Sequence, residues 1–169
     1  MKSAATGRSG KRAVGSSDLD AALGPVERVL LDTSALIAFH SPQEQVHPLA
    51  DYVLRRIESD ADPLRGYYSA VSASEILIRP LRTSLADFTG MQSFLTNYPH
   101  LTVLPADLTV AAQAANVRAF SRISTPDAFV IATGLVSGCE AIVSNDERWK
   151  GRMAPVFPQF RWIYLKDYV

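Results

Sequence analysis

The chain predicts an α/β fold: one domain built on a mainly parallel sheet. Two observations carry that expectation. Short aliphatic runs of strand character alternate along the chain with longer segments whose apolar residues recur every three or four positions. Strands separated by helices require crossover connections, which produce parallel neighbours. At 169 residues, 47% of them hydrophobic, the chain is also long enough to bury one sizeable core.

Residues 1–24 are rich in Ser, Gly, Ala and basic groups and read as a disordered tail, with the domain spanning 25–169. Gly10-Lys11 does not make a phosphate loop, because Ala5 stands where the first glycine belongs and Arg12 replaces the hydroxyl residue. Strand one is expected at Glu27 to Leu31, followed by a short helix from Ala35 with Thr33 or Ser34 as cap. From Gln45, the spacing of Val46, Leu49, Ala50, Val53, Leu54 and Ile57 predicts an amphipathic helix. Tyr67 to Val71 is expected as strand two, and Ser72 opens a helix over Ala73 to Arg79 that Pro80 stops or kinks.

A further helix from Ser84 is expected to bury Leu85, Phe88, Met91, Phe94 and Leu95, and Leu101 to Leu104 forms strand three. The alanine-rich segment Asp107 to Phe120 is helical, with Leu108, Ala111, Ala112 and Ala115 as its inner face. Thr125-Pro126-Asp127 carries cap, proline and first-turn acid, starting a helix to about Val136. Glu140 to Ser144 and Phe160 to Leu165 complete the strands.

Lys plus Arg equals Asp plus Glu at 17 each, so the whole chain has no basic signature. Lys2, Arg8, Lys11 and Arg12 lie in the tail, which leaves the remainder slightly acidic. The single Cys139 excludes an internal disulfide and a thiolate cluster, and a reduced, cytoplasmic setting is expected. No apolar run approaches the roughly 20 residues that span a bilayer, and the N-terminus shows no apolar stretch of a secretory signal.

Four acids lie beside the apolar runs: Asp32 after strand one, Glu75 after strand two, Asp127 at the start of a late helix and Asp146 after strand four. The carboxyl ends of parallel strands share an edge, where open α/β sheets bind ligands. The helix that begins at Asp127 feeds strand four, so its N-terminus belongs at that edge too. Each acid has an ordinary alternative: a turn, a capping box in Ser72-Ala73-Ser74-Glu75, a helix dipole or Asn-Asp turn chemistry. Four such coincidences on one edge are less economical than one shared site. Clustered carboxylates resist joint ionisation without a cation, and oxygen-only ligands suit Mg²⁺ or Mn²⁺ rather than zinc. His40, His47 and His100 have no ligand spacing and are expected at the surface or in turns. Divalent ions on carboxylates suit phosphodiester hydrolysis, activating water and neutralising developing charge.

The segments Leu-Leu-Asp-Thr-Ser-Ala-Leu-Ile-Ala, Ser-Ala-Ser-Glu-Ile-Leu, Pro-Asp-Ala-Phe-Val-Ile-Ala-Thr and Ile-Val-Ser-Asn-Asp, in that order, resemble a PIN-domain ribonuclease, most of all VapC-type toxins. The resemblance covers about Glu27 to Leu165. It implies an α/β/α sandwich with five parallel strands in the order 3-2-1-4-5 and a Mg²⁺- or Mn²⁺-dependent endoribonuclease leaving 5′-phosphate and 3′-hydroxyl ends. Asp32, Glu75, Asp127 and Asp146 match the family's acidic quartet, Asp32 and Asp146 as direct metal ligands. Thr33, Ser34, Ser144 and Asn145 match its supporting polar positions, with Ser144 where many relatives carry threonine. The resemblance further implies a cognate antitoxin and a homodimer, to which apolar residues of the Ser84 helix would contribute. Arg79, Arg82 and Arg148, with Arg118, Arg122, Lys150 and Arg152, are candidate phosphate contacts. Trp149 and Phe157 could stack on bases, although packing suits Trp149 better.

Two rivals remain. A phosphatase with Asp32 as covalent nucleophile would carry a second aspartate two residues on, where this chain has Ser34. A non-catalytic PIN-fold module that binds RNA or protein would gain nothing from carboxylates facing phosphate.

Overall fold

Strand β1 (Arg28–Leu31) lies at the centre of the sheet, parallel to β2 (Arg65–Ser69) on one side and to β4 (Ala141–Ser144) on the other. Strand β3 (Leu101–Leu104) pairs with β2, and β5 (Arg161–Tyr164) with β4, giving the order β3-β2-β1-β4-β5 with every pair parallel. Both the parallel sheet and its strand order match the expectation. The computed structural model describes residues 16–169.

Side chains of a strand alternate between faces, and β1 shows how this builds two cores. Val29 and Leu31 enter one core with Tyr68, Ala141, Val143 and Ile163. That face is covered by α2 (Thr33–Phe39), α3 (His47–Glu58), α4 (Ala70–Thr83) and α5 (Leu85–Asn97). Leu30 and Ile142 enter the other core, beneath α6 (Leu108–Ser121) and α7 (Thr125–Val136). Helix α7 sits close to the sheet because Gly134 has no side chain: a Cβ there would stand 3.1 Å from Leu30 Cδ2 and 3.2 Å from Phe160 Cζ. On the same helix, Thr133 Oγ1 donates to Ser69 Oγ at the end of β2 (3.1 Å), fixing α7 against the sheet. Trp149 and Phe157 are buried in this second core and pack rather than present a stacking face. Cys139 is a buried free thiol, pushed up to about 12 by burial.

The structure corrects several sequence-based expectations. The ordered domain begins before residue 25. Helix α1 (Ser16–Leu23) buries Leu19 and Leu23 completely, and Asp20 accepts hydrogen bonds from Tyr52 Oη (2.7 Å) and Arg56 (3.0 Å) on α3. Of the expected tail, positions 1–15 lie outside the described residues. Helix α4 starts at Ala70, capped by Ser69, and does not end at Pro80. Proline removes one intrahelical donor, yet its own carbonyl still accepts the Ser84 amide at 3.1 Å. The inner face of α6 is Val110, Ala114, Val117 and Ser121, while Leu108 is 84% exposed. On α5 only Leu95 is fully buried, and Leu85 points outward. Helix α7 is capped by Ser124, one residue before Thr125.

Candidate active site

Asp32 follows β1 directly, and its position is set by the sheet: its amide donates to Val143 O of β4 at 3.0 Å. It is the N-cap residue of α2, but its side chain makes no capping hydrogen bond. The carboxylate instead accepts from two hydroxyls, Ser34 Oγ at 2.6 Å and Ser144 Oγ at 2.9 Å. Asp32 is only 5% exposed. Burial pushes its carboxyl above the usual aspartate range, against the opposing pull of the Ser34 and Ser144 hydroxyls. No cation is among the hydrogen-bond partners of this buried carboxylate, so direct ion pairing does not offset its burial.

The same hydroxyls tie in the next acid. Ser34 Oγ accepts the Asn145 amide at 2.8 Å, and Ser144 Oγ accepts the Asp146 amide at 3.0 Å. The turn after β4 is thereby locked onto the start of α2. Asp146 is gripped by the guanidinium of Arg148, whose Nε lies 3.0 and 2.9 Å from its two carboxylate oxygens and whose second nitrogen also donates to Oδ2. The Arg148 guanidinium holds the Asp146 carboxyl below its usual range, and Lys166 adds to the effect. The charges of Asp127 and Asp32 also reach that guanidinium, after the dominant contribution of Asp146, and favour its charged form. Only Asp146 contacts this positive group; Asp127 and Asp32 act on it through charge alone.

Glu75 joins through α2. Its carboxylate accepts from Thr33 Oγ1 at 2.6 Å, across two helices, instead of closing a capping box with Ser72. Asp127 is held within its own helix start: Ser124 Oγ donates to its Oδ2 at 2.5 Å and accepts its amide at 3.2 Å. Arg118 braces the same start, donating to Ile123 O (3.2 Å) and Thr125 Oγ1 (2.9 Å). Thr33, Ser34, Ser144 and Asn145 thus each touch an acid or the backbone beside one.

Does this donor set suit a divalent cation? Its chemistry does: carboxylate oxygens throughout, one of them buried without a cationic partner, and Asn145 Oδ1 buried with no hydrogen-bond partner among the described residues. The grouping is not ready-made, since among the described residues no three His, Cys, Asp or Glu side chains are placed to hold a metal ion as they stand. Each carboxylate is instead engaged by a local partner: hydroxyls on Asp32, Glu75 and Asp127, and a guanidinium on Asp146.

The basic candidates are less concentrated. Arg79 lines a groove of about 510 Å³ between α2, α4 and α5, which also contains Glu75, Ile37 and Met91. Arg82 and Arg122 are exposed, Arg122 in a left-handed conformation after α6. Lys150 pairs with Asp167, and Arg152 is exposed. The histidines carry no site chemistry: His47 Nδ1 contacts Ala38 O, His100 pairs with Asp60, and His40 packs edge-on against Phe94. Two site features escape sequence reading. Ser124 orients Asp127, and Arg148 is bound to Asp146 rather than extended toward solvent. The only sequence signal for either is proximity, three residues before Asp127 and two after Asp146.

Comparison with known proteins agrees with this fold. The PIN domain family model matches residues 29–152. No curated protein matches the chain by sequence. Among solved structures, a toxin–antitoxin complex from Klebsiella pneumoniae superposes with a TM-score of 0.61 at 16% identity, covering 81% of this chain and 97% of that one. DNA-bound VapBC from Salmonella typhimurium gives 0.61 at 19% identity, covering 82% and 98%. VapC20 of Mycobacterium tuberculosis, a toxin that cleaves the sarcin-ricin loop, gives 0.57 at 16% identity, covering 70% and 89%.

Proposed function

The chain belongs to the PIN-domain family, and from that premise we propose that it is a Mg²⁺- or Mn²⁺-dependent endoribonuclease, the toxin of a toxin–antitoxin pair. One observation supports this reading above the others: the buried Asp32 and the neighbouring Asp146 are locked together through Ser34 and Ser144 at the carboxyl edge of a parallel sheet. Asp32 and Asp146 would hold the cation directly, with Glu75 and Asp127 beside it. The cation, when bound, supplies activation of water and neutralisation of charge on the phosphodiester. The chain's own residues do the rest. Ser34 and Ser144 fix the orientation of Asp32, Thr33 aims Glu75 across from α4, and Ser124 sets the rotamer of Asp127. Burial strengthens every charge interaction that Asp32 makes.

The partner assignments extend the same reading. The structural relatives are toxin–antitoxin complexes, and an antitoxin partner, a homodimer and a cytoplasmic site of action are proposed by that likeness. No described helix is long and apolar enough to cross a membrane. Exposed Ile78, Leu81 and Leu85 beside the groove between α2, α4 and α5 provide apolar surface for such contacts.

A second reading, a non-catalytic PIN-fold module, is favoured by one observation: each of the four acids is already engaged and, among the described residues, no three are grouped around a cation position. Incubating RNA with the purified protein, with Mg²⁺, Mn²⁺ or EDTA, separates the two. The nuclease reading expects cation-dependent fragments with 5′-phosphate ends, lost in Asp146→Asn. Fragments that persist in EDTA or in that variant exclude the metal site, and RNA retention without cleavage supports the binding module.

A further inference from the structure

Asp146 and Arg148 are matched unequally. The Asp146 side chain is 15% exposed, whereas that of Arg148 is 72% exposed. The arginine reaches back over the turn from solvent and covers both oxygens of a half-sheltered carboxylate, while its own backbone amide donates to Oδ1 at 2.8 Å. The backbone contact shapes the turn; the guanidinium contact is additional and separable from it. Asp127 and Asp32 add their attraction to the same group.

We propose that Arg148 is the built-in counter-ion of the acidic edge, holding Asp146 when no divalent cation is present and giving way when one binds. This rests on the metal reading above. A hard cation and a bidentate guanidinium need the same oxygen lone pairs, and two positive groups around one carboxylate repel. Occupancy of Asp146 by one therefore opposes the other. The exposed arginine can leave by rotating its side chain into water. Exposed ion pairs contribute little, so the competition lowers cation affinity modestly rather than closing the site. In this role Arg148 is a positioning residue, acting through Asp146.

The test is Mn²⁺ binding to the full-length protein, measured by calorimetric titration, with thermal unfolding recorded with and without Mn²⁺. Arg148→Gln is expected to bind Mn²⁺ about fivefold tighter, equivalent to about 1 kcal/mol. It should also unfold at lower temperature without cation and show a larger Mn²⁺-induced rise. Arg148→Lys, which keeps the charge but loses the fork, should fall between wild type and Arg148→Gln. Arg152→Gln, on the same connection, should match wild type. Unchanged or weaker Mn²⁺ affinity in Arg148→Gln, with wild type binding normally, overturns the counter-ion role and leaves the metal reading standing. Mn²⁺ binding by neither protein overturns both.

Discussion

At the amino ends of β1 and β4, the Glu140 carboxylate accepts the backbone amides of Glu27 (2.7 Å) and Arg28 (3.0 Å), and Arg28 donates to Ser137 O while lying 4.5 Å over the Tyr67 ring. At the carboxyl ends of the same two strands, Asp32 is buried on hydroxyls and Asp146 is held by a solvent-exposed arginine. The residue types are alike, yet their partners differ. The acid at the amino end satisfies backbone donors that the sheet leaves open, as closure of a fold requires. The acids at the carboxyl end are held mainly by side chains, and Asp32 is buried with no cation among its hydrogen-bond partners. The first arrangement stabilises the domain; the second keeps carboxylates available at some cost to it.

Changing one acid at each end should pull activity and stability apart. The largest expected effect is on cleavage: Asp32→Asn should lower the Mg²⁺-dependent rate at least about 100-fold, a barrier increase of about 2.7 kcal/mol. Glu140→Ala should stay within about twofold of wild type in the same RNA assay. Comparable losses in both variants would erase the distinction between the two edges.

Stability should move the other way. Because burial raises the folded-state pKa of Asp32, the stability it contributes is full below the ordinary aspartate range and is lost as pH rises through the raised value. At neutral pH the charged form is therefore a cost, and Asp32→Asn should raise the Tm by a few degrees, at about 2–4 °C per kcal/mol. That gain should vanish on scans below about pH 4. Glu140→Ala, losing exposed charge-assisted hydrogen bonds of about 1 kcal/mol, should lower the Tm by about 2–4 °C. The smallest effect is expected for Thr33→Val. Freeing Glu75 from its hydroxyl should reduce cleavage by several-fold and leave calorimetric unfolding nearly unchanged.

The parallel sheet and the strand-end location of the acids were legible from the alternation of strands and helices, whereas the strand order came only with the family resemblance. Helix α1 was not legible, although Leu19 and Leu23 stand at helical spacing. Its surroundings of Ser, Gly and basic residues hide it, and what orders it is contact with α3 and the terminal 3₁₀ turn Leu165–Tyr168, more than 25 positions away. The inner face of α6 was misread because alanines fit either side, and packing on α7 selected Val110, Ala114 and Val117. Within the site, residue identity and approximate place were readable. The rotamers were not: the Thr33–Glu75 bond joins residues 42 positions apart, and the grip of Arg148 depends on a turn that no spacing rule specifies.

Strand β1 is central, so its two neighbours arrive at very different times during synthesis. β2 follows within a few dozen residues, but the hydroxyl that holds Asp32 on its other side belongs to Ser144, 112 positions later. At translation speeds of about 5–20 residues per second, that gap is roughly 6–20 s. For most of it, a nascent chain carries β1 with one flank open, and Asp146 is made only after it ends. The order of the strands thus acts as a timer, and the acidic edge is complete only once β4 and the turn after it have been made.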